Sequence, residues 1–432
     1  MKDGMQDRTK DGMQDGMQDR RWSDEPITLV TDQLPYPPRN GITLPLFNHL
    51  EQLRGTQRVS VCLLQGRGAA PAAADWDANE RRYGAITAVA LQRRPRAARA
   101  LAELAGSEMF QHGWRAAGGP ALDPAAFTRV LVSPMSAVAQ WRVLRRAQPA
   151  LRPRLQVAAV NDCTTAEYRW RLRSVPGGAA ARAKAWLDGW RAPLIGRIEA
   201  ALLADYSRVL VQTEADRQAM HDLVGAATAE RCLVVPNGVR PDLFQLQPRR
   251  GEQVLFVAEL SGEYAAVTEW LCTQVWPAVL AAQPAARLLV VGGGASPRLR
   301  HRLAATAGVE HLDFAADLAP VYAGTGVVWS PVFKGFGLIN KTLEAMASAL
   351  PVVGGRAAFN GIAGFDEGVH GQGLTGADAA GFAAATVALL QSPQRQAQMG
   401  DAARELIRGQ FSWTRSADAL RQAFAPPPAG SL

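Results

Sequence analysis

From Pro26 onward the chain alternates short β-branched runs with longer stretches at helical spacing, and the alternation restarts after Val235-Pro236-Asn237-Gly238-Val239. Strands separated by helices pair in parallel through crossover connections, which constrains such a chain to doubly wound α/β units. In the first series ITLVTDQLPYPP reads as a strand running into a proline-rich loop, TLPLFNHLEQLR as a helix and RVSVCLL as the next strand. TRVLVS, LQVAAVND and RVLVQT continue it. After the Asn-Gly turn and the polar linker QLQPRRGEQ, a second series runs through QVLFVAEL, ARLLVVGGG, HLDF, GVVWSPV and LPVVGG, ending in the helix SADALRQAF. The expected organisation is a low-complexity tail (1–24), a first Rossmann-like domain (25–244), a second (245–408) and a C-terminal helix returning to the first (409–432). Ligands of such sheets bind at the carboxyl ends of the strands.

A chain of 432 residues with 48% apolar and 20% charged residues can bury large cores without staples. Cys62, Cys163, Cys232 and Cys272 lie far apart, with no CxxC pair and no histidine at metal-ligand spacing, which argues against a zinc site or disulfide scaffold. Reduced thiols in a cytoplasmic protein are the expectation. No run reaches the roughly 18 apolar residues of a membrane-spanning helix. The opening repeats of DGMQD have no apolar core of a signal peptide, and are expected to be disordered and dispensable. A formal charge of +8 favours anionic partners. Its arginine runs lack interleaved aromatics and a nucleic-acid motif, so the anions expected are phosphorylated small molecules or a membrane surface, not nucleic acid.

The segment Ser330-Pro331-Val332-Phe333-Lys334-Gly335-Phe336-Gly337-Leu338-Ile339-Asn340-Lys341-Thr342-Leu343-Glu344 carries the most chemistry. It reads as a strand end, a glycine loop and a helix beginning near Asn340, expected as its N-cap. Glycines let the backbone approach a ligand, and a helix N-terminus suits a phosphate. Glu344, one turn in, can reach sugar hydroxyls beside that phosphate. A plain strand–loop–helix turn with a surface glutamate is the competing reading of the loop alone.

The whole string GFGLINKTLEAMASALPVV resembles the donor-site segment of the group-1 glycosyltransferases (family 4, GT-B fold), and in particular the polysaccharide-biosynthesis branch reading G-x-G-I-x-N-K-x-x-E-A-M-A. VQTEADR, VPNGV, LLVVGGG, DLAPVYAGTGVVWSPV and FSW support the resemblance across about 28–424. It implies two Rossmann-like domains facing across a cleft and a nucleotide-diphosphate-sugar donor on the second. It also implies a glycan or lipid-linked acceptor, and transfer with retention of configuration without a metal or other cofactor. Carried onto this chain, it makes Glu344 the ligand of the donor ribose. Gly335, Phe336 and Gly337 become the loop over sugar and diphosphate, and Gly292, Gly293 and Gly294 a turn at the rim. Arg39, Asn40 and Gly41 become the loop toward phosphate and acceptor, and Asn161 and Asp162 stand near the reacting centre, with helix capping as the competing role for Asp162.

The chain departs from the broader family at three places. Lys334 replaces an acid before the glycine loop, Asn161 replaces a histidine, and the Arg/Lys pair after the first strand of the second domain is missing, with Glu259 and Ala265 or Ala266 near those positions. A leaving diphosphate gathers negative charge. Lys334, Lys341, Arg39 and the helix N-terminus at Asn340 are the groups available to meet it, and Lys341 also reads as a solvent-facing helix lysine. The resemblance therefore admits a retaining transferase, a non-catalytic glycan- or nucleotide-sugar-binding partner, or a sugar-nucleotide epimerase. Trp186 and Trp190, four apart among Arg182, Lys184, Arg191 and Arg197, suit peripheral contact with an anionic membrane, at the inner face of the cytoplasmic membrane. The competing reading is a core-packed helix interrupted at Pro193.

Overall fold

The computed structural model describes residues 25–38, 41–66, 71–104, 110, 113–117, 121–173, 179–333 and 337–425. The tail 1–24, Arg39, Asn40, Lys334, Gly335 and Phe336 lie outside them. Two compact units form: Met1–Pro236 with Ser416–Leu432, and Asn237–Arg415.

The first unit holds β1 (Ile27–Thr31), β2 (Val59–Gln65), β3 (Thr87–Arg93), β4 (Trp114–Ala116), β5 (Arg129–Val132), β6 (Leu155–Asn161), β7 (Arg208–Val211) and β8 (Cys232–Val234). Their order is β4-β3-β2-β1-β5-β6-β7-β8, parallel except for the β3–β4 pair at the edge. All five residues of β1 are buried, as a strand covered by helices on both faces requires. In the helix Thr43–Arg54, Leu46, Leu50 and Leu53 form one apolar stripe and pack with Ile27 and Leu29. Leu420, Ala423 and Phe424 of the C-terminal segment enter the same core. Arg129 fastens that segment, donating from Nη1 to the Glu25 carbonyl (3.1 Å) and from Nη2 to the Phe424 carbonyl (3.3 Å).

The second unit holds β9 (Gln253–Val257), β10 (Arg287–Val291), β11 (Val309–Leu312), β12 (Val327–Ser330), β13 (Val352–Gly355) and β14 (Gln372–Leu374), ordered β11-β10-β9-β12-β13-β14 and parallel throughout. Alternation along β12 divides the core. Val327 and Trp329 face a cluster with Trp276 and Phe382, while Val328 faces Leu343 and Met346 of the helix Asn340–Ala347. The strand order reverses between β9 and β12, so the carboxyl ends of those two strands mark the switch point where doubly wound sheets bind ligands.

Three expectations are corrected here. The boundary expected at 244 falls after Pro236, because Val239 and Leu243 are buried in the second unit's core. The last helix begins at Trp413, not near 409, and the return to the first unit comes after Arg415. The run HLDF is displaced as well: β11 starts at Val309, and Phe314 lies beyond it, exposed.

Candidate active site

At the end of β12 the chain turns at Ser330, whose hydroxyl lies 2.8 Å from that of Thr342 in the following helix, so the two ends of the loop are pinned together. Gly337 completes the described part of the loop with φ +83°, a backbone region where a Cβ is unfavourable. Asn340 is not the N-cap. Ile339 is, with extended backbone angles and a carbonyl that accepts from Thr342 and Leu343. The Asn340 side chain is engaged elsewhere: its Oδ1 accepts from Nδ2 of Asn237, a fully enclosed residue, at 2.8 Å. The helix start is thereby tied to the beginning of the second unit.

Glu344 faces this junction, and only 17% of its side chain is exposed. Its Oε2 accepts from the Tyr322 hydroxyl at 3.0 Å and from Lys341 Nζ at 2.8 Å. Tyr322 has no exposed surface, and its phenol is pushed well above its ordinary range, first by burial and then by the adjacent carboxylate. It is a fixed donor on a residue that cannot move away. Oε1 accepts no hydrogen bond from the described residues, so the carboxylate is oriented with one oxygen free for a diol. Lys341, 43% exposed, finds its counter-charge three residues along its own helix. The sequence singles out Lys341 and Glu344 but not their pairing, nor the contacts of Tyr322 and Asn237, although DLAPVYAGTG and VPNGV stand in the motif string.

The glycine turn after β10 crosses the end of β9. A Cβ on Gly292 would stand 1.6 Å from the Ala258 carbonyl oxygen, and Leu260 donates to the Gly293 carbonyl at 2.7 Å. Gly294 has φ +83° and lies beside Glu259 and Ser261. Glu259 therefore brings an acid to the rim of this turn, held by the Ser261 hydroxyl at 3.1 Å. Gly292, Gly293, Gly294 and Glu259 thus stand around the end of β9, and the Lys341–Glu344 pair follows β12, its neighbour in the sheet.

In the first unit, Gly41 is exposed ahead of the helix Thr43–Arg54. Asn161 closes β6 with φ +65°, a left-handed conformation that asparagine tolerates better than most residues, and the β6–β7 register shifts beside it. Asp162 follows. Helix capping is not its role. The N–H groups of Thr164 and Thr165 at the start of the helix Thr164–Arg173 donate instead to Glu199, a buried carboxylate 35 and 34 residues away. Asp162 Oδ1 is buried without a partner, and its carboxyl is pushed up to about 7 by burial, then by the charges of Asp216 and Glu167.

That shift has a consequence for stability. Between the ordinary carboxylate range and pH 7 the unfolded chain releases this proton while the folded chain keeps it, so the contribution of Asp162 declines as pH rises through that window. Asp162→Asn is expected to raise the melting temperature at pH 8 and to leave it nearly unchanged at pH 4. An equal shift at both values would show that the carboxyl is not held protonated.

No group of three or more His, Cys, Asp or Glu side chains able to hold a metal occurs among the described residues, and no described helix is long and apolar enough to cross a membrane. Residues 251–392 match the family model of the glycosyl transferases group 1. No curated protein matches the chain by sequence. Among solved structures, HepE from Anabaena in complex with UDP and glucose is similar at TM-score 0.60 and 17% identity, covering 92% of this chain and 98% of its own. Sucrose-phosphate synthase from Thermosynechococcus elongatus has TM-score 0.61, 17% identity and the same coverage of 92% and 98%. TarM from S. aureus, in complex with Fondaparinux, alpha-GlcNAc-glycerol and UDP, reaches TM-score 0.63 at 9% identity, with 93% and 100% covered. The match to the group 1 glycosyl transferases thus falls within the second unit, and the chain has the two α/β domains of the GT-B fold.

Proposed function

We propose that the protein is a retaining, metal-independent glycosyltransferase that takes a nucleotide-diphosphate sugar on its second domain and transfers the sugar to a glycan or lipid-linked acceptor in polysaccharide biosynthesis. The observation that carries this reading is the oriented Glu344 carboxylate. It sits in the first two turns of a helix that follows the switch-point strand β12, fixed by Tyr322 and paired with Lys341. Its free oxygen suits the two hydroxyls of a ribose, and the phosphate esterified to that ribose then falls toward the helix N-terminus and Lys341. In the transfer, the bond between the anomeric carbon and the diphosphate oxygen breaks with its electron pair leaving on the diphosphate, the acceptor hydroxyl oxygen bonds to that carbon on the same face, and the hydroxyl proton passes to the leaving diphosphate. Lys341, Lys334 and Arg39 are assigned to that charge, and Asp162 and Asn161, at the carboxyl end of β6, to the reacting sugar and acceptor. The solved relatives HepE and TarM were crystallised with UDP, which favours a UDP-sugar donor.

A non-catalytic nucleotide-sugar-binding partner is the second reading, favoured by Glu259 standing where the broader family has a cation. A thermal-shift screen against UDP-, GDP-, ADP- and TDP-sugars tests the donor. A ligand at 100 times its Kd adds about 2.7 kcal/mol to the folded state, so one nucleotide should stand out. Tyr322→Phe, which loosens the carboxylate without removing it, is expected to weaken binding of that donor severalfold. Glu344→Gln keeps an acceptor for the tyrosine but loses the charge, and should cost about 1.5–3 kcal/mol of donor binding. If no nucleotide sugar shifts the transition, the donor reading is wrong. If one does while no sugar is transferred, the binding-partner reading replaces the enzyme.

A further inference from the structure

The helix Ala179–Leu203 has 25 residues, about 37 Å at 1.5 Å per residue, and its C-terminal part belongs to the first unit's interior. Ile195, Gly196, Glu199, Leu202 and Leu203 are buried. Gly196 brings the helix so close to the end of the helix Glu214–Leu223 that a Cβ there would lie 2.3 Å from the Leu223 carbonyl oxygen. Along 186–194 the picture reverses, because no described side chain in that stretch is buried. Trp186 is 68% exposed, Trp190 77% and Leu194 40%. Spaced i, i+4 and i+8, the three form one continuous outward stripe. The helix also runs unbroken through Pro193, with Gly189 at the preceding turn, so the interruption read from the sequence does not occur, and among the described side chains core packing is confined to the C-terminal part.

Two exposed tryptophans one turn apart are rare on a surface that meets only water, since each leaves a large apolar ring hydrated. The charge around them says what covers the stripe. Arg197, exposed, lies eleven residues beyond Trp186 and returns to the same face at helical spacing. Glu199 falls on the opposite side by the same spacing and is buried on Thr164 and Thr165. The helix Thr164–Arg173 packs against this one. Over 164–203 the chain places Arg169, Arg171, Arg173, Arg182, Lys184, Arg191 and Arg197 against Glu167, Asp188 and Glu199, so half of the formal +8 sits in these forty residues.

We propose that the outer part of the helix Ala179–Leu203 is a docking surface for an anionic lipid bilayer, with Trp186, Trp190 and Leu194 entering the headgroup boundary and the surrounding arginines meeting lipid phosphates. Indole rings combine an apolar body with a polar N–H, and lie at that boundary for the same reason that they are costly in bulk water. The surface binds reversibly, because apolar insertion of three side chains and attraction of a few basic residues both act near the surface only. This proposal does not depend on sugar transfer, and fails or stands apart from it.

The test is co-sedimentation of the full chain with large vesicles of phosphatidylcholine alone and of phosphatidylcholine with phosphatidylglycerol, at low and at physiological salt. Binding is expected only with phosphatidylglycerol, weakening as salt rises. Trp186→Ser with Trp190→Ser should lower the partition coefficient by about tenfold or more, since binding scales with the apolar area inserted. Arg197→Gln alone should lower it about fivefold, as expected for one basic residue at the surface. Circular dichroism and melting should be unchanged in both variants, whose altered side chains are exposed. Absence of binding to phosphatidylglycerol vesicles at low salt overturns the proposal, as does equal binding to both lipids or a double variant that binds like the parent. If the double variant instead turns a dimer into a monomer in size-exclusion chromatography, the stripe is a contact between copies of the chain and the bilayer is not its partner.

Discussion

In a Gly292→Ala protein the second domain is expected to lose more than about 4 kcal/mol of stability, the range reserved for substitutions that no local adjustment absorbs. The added Cβ would stand 1.6 Å from the Ala258 carbonyl oxygen, where two non-bonded atoms cannot coexist, and its φ of +155° is unusual for any residue with a side chain. Relief by a small shift is blocked on both sides. Ala258 N–H donates to the Val291 carbonyl at 3.1 Å, and Leu260 N–H donates to the Gly293 carbonyl at 2.7 Å, so the ends of β9 and β10 are laced together. Separating them means giving up those bonds at the switch point itself. Gly293→Ala provides the comparison, since a Cβ there meets only the Asp313 carbonyl at 3.4 Å, an ordinary contact. Thermal or denaturant unfolding should show a large loss for the first and within about 1 kcal/mol of the parent for the second. A Gly292→Ala protein melting within two or so degrees of the parent would show that the turn is looser than its geometry.

Lys341→Met is expected to lower kcat by about 10²–10³, the typical cost of removing one preorganised charge contact from a developing oxyanion. Without the Arg/Lys pair of the broader family, a leaving diphosphate needs another cation, and Lys341 is placed in the first turn of the helix. Its position is electrostatically awkward, because a cation in the first turn opposes the helix dipole. Glu344 offsets that conflict three residues on, so the structure supplies a local reason for the lysine besides any ligand. The two explanations separate kinetically. A lysine that only orients Glu344 governs ribose binding, so its loss raises KM and leaves kcat alone. A lysine that meets the diphosphate must also stabilise the charge as it grows, so kcat falls. The pair does not preclude the second role: in the proposed donor mode the phosphate is bonded to the ribose assigned to Glu344, and Lys341 is 43% exposed. Turnover near the parent rate in Lys341→Met would reduce it to a surface residue.

The two-fold α/β alternation was legible in the sequence because it is local. Strand period, helical spacing and turn residues within a dozen positions announced β1, β5, β6, β7, β9, β10, β12 and β13, as well as the helix Thr43–Arg54. The strand ending at Ser330 and the helix that carries Lys341 and Glu344 were legible too, since they lie within fifteen residues of one another. Apart from the Lys341–Glu344 pair itself, what orients those residues comes from elsewhere in the chain. Tyr322 reaches Glu344 across 22 residues, Asn237 reaches Asn340 across 103, and Glu199 takes the helix start for which Asp162 is the competing cap in the sequence. Periodicity also could not say that Trp186 and Trp190 face outward, because an apolar stripe is written identically whether a core or an outside partner covers it. Sequence spacing encodes which side chains share a face, and so decided the elements and the chemistry they carry. Which faces meet, which carboxylates are left buried without a partner and which glycines admit no Cβ depends on close packing between distant segments, and only the tertiary structure decided that.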